Sequence, residues 1–173
     1  MVALGSGLTV AEAAGRWLGS HVELQRAGQG RRLAEQRVRD YLSPALGGLS
    51  LDAVRRDDVR AYRLHLERDT HLSILSVSHV LADLRCMLNW AMDSGLLRET
   101  PFPRRVMPRL QERAPDRLSD SEVDRLVTMR EPYSWIARLG IGTGMRWGEL
   151  ARIKAADLQN GCLVVSHTKG RRV

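Results

Sequence analysis

Residues 77–92, VSHVLADLRCMLNWAM, show the clearest hydrophobic periodicity of the chain. Apolar side chains recur there at steps of three and four, the spacing that places them on one face of a helix. The residues of this stripe are Val77, Val80, Leu81, Leu84, Leu88, Ala91 and Met92. The pattern predicts a helix that starts after Ser76, is closed by Gly95 and buries one face in a core.

Three further helices are predicted upstream, and the apolar stripe can pack against them. Thr9 and Glu12 form a capping-box pattern that opens the first helix. The second is expected to stop before Pro44, because proline cannot continue a regular helix. The predicted helices cover about residues 9–26, 31–43 and 57–67. Four amphipathic helices can bury one shared core, so residues 1–97 are expected to form a helical domain.

The segment from Arg98 to Asp116 has a different composition. Four of the six prolines and five arginines fall within it, and no periodic apolar pattern is present. It is therefore predicted to be a Pro/Arg-rich linker. Five basic minus three acidic residues give it a net charge of +2, which fits either a solvated spacer or a strap that follows DNA.

A second domain is predicted over residues 117–173. Ser119 and Glu122 repeat the capping-box pattern, and Pro132 suits the first turn of the next helix. That helix is expected to be interrupted by its glycines, Gly140, Gly142 and Gly144. Another helix is predicted from Arg146 to Asp157.

The last fourteen residues predict a β-hairpin. Asn160-Gly161 is typical of a tight turn, residues 162–166 form a strand candidate, and His167-Thr168-Lys169-Gly170 resembles a turn that leaves this strand.

The charge of the chain favours a polyanionic partner. The 27 basic residues outnumber the 20 acidic ones, giving a net charge of +7 and an isoelectric point near 10.4. All but Lys154 and Lys169 of the basic residues are arginines, whose planar fork suits phosphate. Nucleic acid is the leading candidate. A compositional bias of the source genome is the alternative explanation for the arginines.

Several other classes of protein are disfavoured. No apolar run approaches the ~20 residues of a membrane span, and no signal peptide pattern is present, so a cytoplasmic location is expected. The two cysteines, Cys86 and Cys162, suggest neither a disulfide framework nor a thiolate metal site. His65, His71 and His79 lack metal-ligand spacing. The glycines at 140, 142 and 144 match no nucleotide-binding loop, so neither metal nor cofactor is expected.

The stretch Thr143–Leu150, TGMRWGEL, carries the strongest chemical signal. It places Arg146 and Glu149 one helical turn apart, directly after a glycine turn. At this spacing the carboxylate can hold the guanidinium. Considered alone, such a pair is an ordinary surface ion pair that contributes ~0.3 kcal/mol.

Together with Asp157, and with Thr168-Lys169 after a predicted strand, this stretch resembles the tyrosine recombinases, the phage-integrase family of site-specific DNA recombinases. It is similar in order and spacing to the first arginine box and the β-hairpin lysine of that family. The resemblance implies that Arg146 stabilises charge on the attacked phosphodiester. Glu149 would orient Arg146, and Lys169 would be the general acid toward the leaving 5′ oxygen.

Residues 8–95 also resemble the helical core-binding domain of the family, notably LADLR at 81–85 and LNWA at 88–91. The resemblance implies a mainly α fold. It comprises a four-helix, SAM-like core-binding domain (1–97), the linker (98–116), and the first part of an α+β catalytic domain that ends in a β-hairpin (117–173).

Other elements of the family pattern are not found in these 173 residues. The second basic box, a further His or Trp, and the nucleophilic tyrosine would follow the hairpin. Tyr41, Tyr62 and Tyr133 all precede Arg146 and lie outside the motif. We therefore expect a C-terminally truncated recombinase that binds duplex DNA without cleaving it by itself. The alternatives are a non-catalytic regulator or competitor at recombination sites, and a helical bundle that binds only proteins.

The expected partner is double-stranded DNA, together with a second copy or an intact recombinase on that DNA. Neither a membrane nor a small-molecule cofactor is expected. The candidate phosphate contacts are Arg31, Arg32, Arg37, Arg39, Arg104 and Arg105.

Overall fold

The computed structural model describes residues 7–26, 28–111 and 114–164, and it divides the chain into two compact units. The N-terminal unit comprises Met1–Glu112 and the C-terminal unit comprises Arg113–Val173. The described part is mainly helical, with one small β-hairpin, as the sequence predicts. No helix within these ranges is both long and apolar enough to cross a bilayer.

Four helices form the described part of the N-terminal unit. Helix α1 consists of Val10–Trp17, a π-helical turn Leu18–Val22 and a last turn Glu23–Gln25. Helix α2 consists of Gln29–Arg37, a π-helical turn Val38–Leu42 and a last turn Ser43–Leu46. A 3₁₀ turn, Leu51–Ala53, precedes helices α3 (Arg56–Arg68) and α4 (Ile74–Asp93).

Local capping residues set the starts of α1 and α4. The Thr9 hydroxyl accepts a hydrogen bond from the Glu12 backbone N–H, and the Glu12 carboxylate accepts one from the Thr9 N–H at 2.8 Å. The predicted capping box is thereby confirmed. In α4 the Ser73 hydroxyl accepts from the Ser76 N–H, so this helix starts earlier than the predicted position after Ser76. Gly95, at φ +72°, follows its end.

Helix α2 does not stop before Pro44, as the sequence predicts, but continues to Leu46. The π-helical turn explains the difference. The Ser43 N–H bonds to the carbonyl of Val38, five residues back, so the hydrogen-bond ladder has already shifted when it reaches the proline. Pro44 then lies in the first turn of a new segment, where its missing N–H costs little.

The core of the N-terminal unit forms around the stripe of α4. All of the predicted stripe residues are buried except Met92, which is half-buried, and Met87 is fully buried beside them. The other helices contribute Trp17, Val22, Leu42, Val59 and Leu66. The predicted shared core of four helices is therefore confirmed.

The segment predicted as a linker begins inside this core. Phe102 and Val106 are buried, and the guanidinium of Arg85 lies 6.0 Å from the centre of the Phe102 ring. The sequence did not predict this packing, because prolines keep the segment extended and remove any helical period from its apolar residues. The described residues 109–111 and 114–118 are exposed.

In the C-terminal unit, residues 114–164 contain three helices and the hairpin. Helices α5 (Asp120–Val127), α6 (Tyr133–Thr143) and α7 (Trp147–Leu150) are followed by a 3₁₀ turn, Ala155–Asp157. Strands β1 (Leu158–Gln159) and β2 (Cys162–Leu163) are antiparallel, with Leu158 opposite Leu163. The turn between them has positive φ at Asn160 and Gly161, as predicted for this pair. The predicted strand end, 165–166, and the turn at 167–170 lie outside the described residues.

Two predictions for this unit were wrong. Gly140 and Gly142 do not interrupt α6, which continues to Thr143 and ends at Gly144 with φ +66°. The helix predicted from Arg146 to Asp157 ends at Leu150. Asp157 accepts a hydrogen bond from the Lys154 N–H at 2.9 Å, so it caps a separate 3₁₀ turn instead of ending a long helix.

Candidate nucleic-acid interface

A basic cleft of about 950 Å³ lies in the N-terminal unit. Helix α3 forms one wall, and residues 98–106 form the other. Six arginines line it: Arg56, Arg60, Arg63, Arg98, Arg104 and Arg105. Among the described residues that line the cleft, Glu99 is the one carboxylate. The cleft therefore presents a concentrated positive charge to solvent.

The first wall follows from the sequence of α3. Arg56, Arg60 and Arg63 are spaced by four and three residues, so they share one face of the helix. The adjacent face of the helix carries Val59 and Leu66, which are fully buried. The apolar face docks α3 on the core and thereby turns the arginines outward.

Two apolar anchors shape the second wall. Phe102 and Val106 are buried in the core of the N-terminal unit, whereas Arg104 and Arg105 between them are exposed. The Phe102 N–H is bound by the Thr100 hydroxyl at 3.3 Å. The anchors thus hold a short extended segment whose two arginines point away from the core.

The arginines of the cleft differ in how many of their N–H groups already bind other groups of the protein. Arg63 donates to Glu67 at 2.9 Å and to the Val106 carbonyl at 3.0 Å. Arg60 forms an exposed ion pair with Asp57. The other four, Arg56, Arg98, Arg104 and Arg105, form no ion pair with any carboxylate that the structure describes. Their guanidinium groups are available to an anionic ligand.

Of the six arginines that the sequence proposed as DNA contacts, Arg104 and Arg105 line this cleft. The other four lie on α2, outside the residues that line it. Arg31 forms ion pairs with Glu35 and Glu23, and the hydrogen bond that it donates to Glu35 raises its pKa. The hydrogen bond to Asp40 likewise raises the pKa of Arg39. Arg32 is exposed.

Arg37 forms part of a largely buried ion cluster. Its Nε donates to Asp83 at 2.6 Å, and Nη1 of Arg26 donates to the other carboxylate oxygen at 2.7 Å. Burial is the largest single influence on Arg26 and alone would lower its pKa, but the hydrogen bond to Asp83, the negative charge of Asp83 and the nearby Cys86 together outweigh burial, so the pKa is raised. The Arg26 guanidinium also lies 5.5 Å from the centre of the Trp17 ring. Asp83 therefore ties the end of α1 and the middle of α2 to α4, and Arg37 has a structural partner.

In the C-terminal unit the structure brings Arg146 and Glu149 together, as the sequence predicts. Arg146 precedes α7 as its cap residue. Its backbone N–H donates to Glu149 Oε2 at 2.8 Å, and its Nη1 lies 3.5 Å from Oε1. The Arg146 side chain is 73% exposed, whereas that of Glu149 is 13% exposed. One carboxylate thus anchors the guanidinium and leaves most of its donors open to solvent. Lys169 lies outside the described residues.

Potential metal ligands are sparse in the parts of the chain that the structure describes. No three His, Cys, Asp or Glu side chains there are grouped closely enough to hold an ion. The Cys86 thiol lies 3.6 Å from His21 Nε2, a pair without a third ligand.

Comparison with known proteins supplies the family context. No protein-family model matches the chain. Tyrosine recombinase XerD of Shewanella oneidensis is 34% identical over 80 residues, which cover 46% of this chain and 26% of that protein. The chain is also similar to the integrase of transposon Tn1549, solved in complex with a circular intermediate DNA. The TM-score is 0.69 at 17% sequence identity, and the match covers 88% of this chain and 52% of the integrase chain. A point variant of that integrase with another circular intermediate gives a TM-score of 0.70, 17% identity, and coverage of 88% and 50%.

Over these 80 residues the chain is similar to a tyrosine recombinase. Its mainly helical fold is that of the corresponding part of the Tn1549 integrase. It spans about half the length of the matched integrase structures and about a quarter of the matched XerD protein.

Sequence reasoning missed four arginines of the cleft. Arg98 gave no periodic signal. The other three, Arg56, Arg60 and Arg63, share a helical face that the sequence shows once α3 is placed. Counting charge along α3 by face, instead of looking for adjacent arginine pairs, would have found them.

Proposed function

We propose that this chain is a DNA-binding portion of a tyrosine-type site-specific recombinase or integrase and that the basic cleft holds the backbone of duplex DNA. One observation carries the proposal: six arginines converge on a cleft with a single acidic residue, Glu99. The solved relatives named above are complexes of an integrase with circular intermediate DNA, which supports the same class of partner. A second copy or an intact recombinase on that DNA, and a cytoplasmic location, belong to this proposal.

The chemistry of the cleft suits phosphodiesters. Arginine remains charged at every relevant pH and offers paired donors to phosphate oxygens. The two walls differ in structure, because α3 is a regular helix and the other wall is an extended segment. Contacts of this kind fix the register of a protein on DNA without reading the base sequence.

The proposal assigns chemical roles to the motif of the C-terminal unit. Arg146 would stabilise the charge that develops on a phosphodiester, Glu149 would hold it in place, and Lys169 would protonate the leaving 5′ oxygen. In this view residues 1–97 are the core-binding domain, 98–116 connect, and 117–173 belong to the catalytic domain. In the family, strands are broken and rejoined through a 3′-phosphotyrosyl intermediate. A polypeptide of residues 1–173 would bind DNA without forming that covalent link.

The test measures duplex binding by residues 1–173 as a function of salt. The guanidinium of Arg63 is already bound to Glu67 and Val106. The other five cleft arginines acting on phosphates give a slope of about −4.5 for log affinity against log salt. A rise from about 50 to about 200 mM salt would then weaken binding about 500-fold. Denaturing electrophoresis after incubation should show no covalent adduct. A flat salt response, or an adduct that survives denaturation, would contradict the proposal.

Matched variants show which surface of the N-terminal unit binds DNA. The triple substitution Arg56→Ala, Arg104→Ala and Arg105→Ala should remove about 2.7 from the slope. The triple substitution of Arg31, Arg32 and Arg39 by alanine tests the α2 surface, and Arg16→Ala is the control because Arg16 is exposed on α1. If the α2 variant loses the salt dependence and the cleft variant keeps it, the DNA lies on α2 instead.

A further inference from the structure

Arg63 differs from the other cleft arginines in what its guanidinium already binds. Its Nε donates to Glu67 Oε1 at 2.9 Å, and its Nη1 donates to the carbonyl oxygen of Val106 at 3.0 Å. Its side chain is 31% exposed, against 58% for Arg60 on the same helix face. Glu67 is one turn further along α3, so it fixes the direction in which the Arg63 fork points.

The wall that Arg63 reaches has few other attachments. Among the described residues, no backbone–backbone hydrogen bond involves residues 98–106. The wall is held by the burial of Phe102 and Val106 and by Arg85 over the Phe102 ring. The Arg63 bond to Val106 is its one direct hydrogen bond from a side chain of α3 that the structure describes. This wall carries Arg98, Arg104 and Arg105, three of the five arginines left to bind phosphate.

We infer that Arg63 is a positioning residue of the cleft and not a phosphate ligand: it holds residues 98–106 against α3 so that arginines on both walls face the same DNA backbone. The inference rests on the proposed function for the identity of the ligand. The attachment of the wall is a property of the free protein and can be tested without DNA.

Arg63→Lys separates the two roles, because lysine keeps the positive charge and loses the fork. A phosphate ligand tolerates this change, since a single ammonium still neutralises a phosphate. A positioning residue does not, because one ammonium on a flexible stem cannot replace the two fixed donors that reach Glu67 and Val106. Arg60→Lys is the matched control on the same helix face. Unfolding followed by circular dichroism shows whether each variant is folded.

The first measurement is limited trypsin digestion of free residues 1–173, followed at the bonds after Arg104 and Arg105. Trypsin requires an extended, released segment, so cleavage reports how often the wall leaves α3. We expect Arg63→Lys to accelerate this cleavage about tenfold, the effect of losing one charge-assisted hydrogen bond, and Arg60→Lys to leave it unchanged. A wild-type rate of cleavage in a folded Arg63→Lys protein would overturn the inference.

The second measurement is the salt dependence of duplex binding. If the wall is released, two arginines remain and the slope falls from about −4.5 to about −1.8, so the loss between about 50 and about 200 mM salt shrinks from about 500-fold to about 12-fold. A slope unchanged in Arg63→Lys but reduced by about 0.9 in Arg63→Ala would make Arg63 a phosphate ligand and overturn the inference.

The two measurements also separate failure of the inference from failure of the proposed function. A wild-type protein without salt-dependent duplex binding, together with accelerated cleavage of Arg63→Lys, would remove DNA as the ligand and retain the positioning role. Salt-dependent binding together with unchanged cleavage would retain DNA and remove that role.

Discussion

Helices in the two units start and repeat by the same local patterns, but the units differ in how many apolar side chains they bury. Every buried apolar side chain that the structure describes belongs to the N-terminal unit. Within residues 114–164 only Ser134 is buried, while Trp135 and Trp147 are more than 60% exposed. Both units contain capping boxes and amphipathic helices. Capping and periodicity are therefore enough to set helix starts, but a core also requires enough facing elements to cover each apolar face.

This difference bears on the two candidate functional surfaces. The cleft arginines are mounted on a packed core, so their backbone positions are fixed before a ligand arrives. Arg146 is mounted on a four-residue helix in a unit with little burial, and its guanidinium faces water. A charge in water stabilises a developing anion far less than a charge in a water-excluded site. We therefore expect DNA affinity in these 173 residues to come mainly from the cleft.

The largest expected difference between the units is in the cost of a cavity. Leu81→Ala removes a fully buried side chain from α4 and should lower the free energy of unfolding by about 2–5 kcal/mol. The matched change Leu158→Ala removes a side chain that is 63% exposed and should cost less than about 0.5 kcal/mol. Urea unfolding of both variants measures the difference. Equal losses would show that β1 is packed in solution and would break the comparison.

The second prediction concerns the buried ion cluster. Asp83→Asn leaves Arg26 and Arg37 without their carboxylate and should destabilise the N-terminal unit by about 2–3 kcal/mol, less than a fully buried pair because both arginines are partly exposed. The control is Asp40→Asn, which breaks the exposed pair with Arg39 and should not change the unfolding midpoint measurably. An unchanged midpoint for Asp83→Asn would mean that the cluster does not tie the helices together.

The features that could be predicted from the sequence are those that depend on residues close together in the chain. Thr9, Ser119 and the α4 stripe act through neighbours in sequence, so their helices were predictable. The Arg146–Glu149 contact was predictable for the same reason, because a spacing of three fixes it. The Arg63 bond to Val106 joins residues 43 positions apart, and the Asp83 bonds to Arg37 and Arg26 join residues 46 and 57 apart. No local pattern specifies such partners.

The elements that the sequence did not predict had different causes. Pro44 indicated a helix end, but the preceding π-helical turn let α2 continue to Leu46. The prolines around Phe102 indicated a linker, yet Phe102 is buried in the core. Asp157 indicated the end of a long helix but caps a 3₁₀ turn. Backbone hydrogen bonds decided the outcome at Pro44 and Asp157, and burial of apolar surface decided it at Phe102.

The third prediction compares the two units as DNA contacts. Arg104→Ala with Arg105→Ala should lower the magnitude of the salt slope for duplex binding by about 1.8. Arg146→Ala should lower it by less than about 0.9, because the guanidinium is already held by Glu149 and stands on a unit with little core. Fluorescence anisotropy with a labelled duplex measures both. A larger effect of Arg146→Ala would move the main DNA contact to the C-terminal unit.

The smallest expected effect is the response of the two capping boxes to acid. Hydrogen bonds from Thr9, chiefly from its backbone N–H, lower the pKa of Glu12, and Ser119 lowers the pKa of Glu122 in the same way. A carboxylate whose pKa is lowered on folding stabilises the native state above its unfolded value of 4.5, and this stabilisation is lost as the pH falls through the folded pKa. Both helices should therefore lose stability as the pH falls below about 4.5.

The loss of this stabilisation should affect α1 and α5 differently. Helix α1 buries Val10, Ala13 and Trp17, so its packing should keep the first turn formed after Glu12 is protonated. Helix α5 has no buried residue, so protonation of Glu122 should fray it directly. NMR titration of the first-turn amides of both helices measures the response, and Glu12→Gln and Glu122→Gln should each remove the corresponding transition. Fraying of α1 at the same pH as α5 would show that burial does not protect this end of the N-terminal unit.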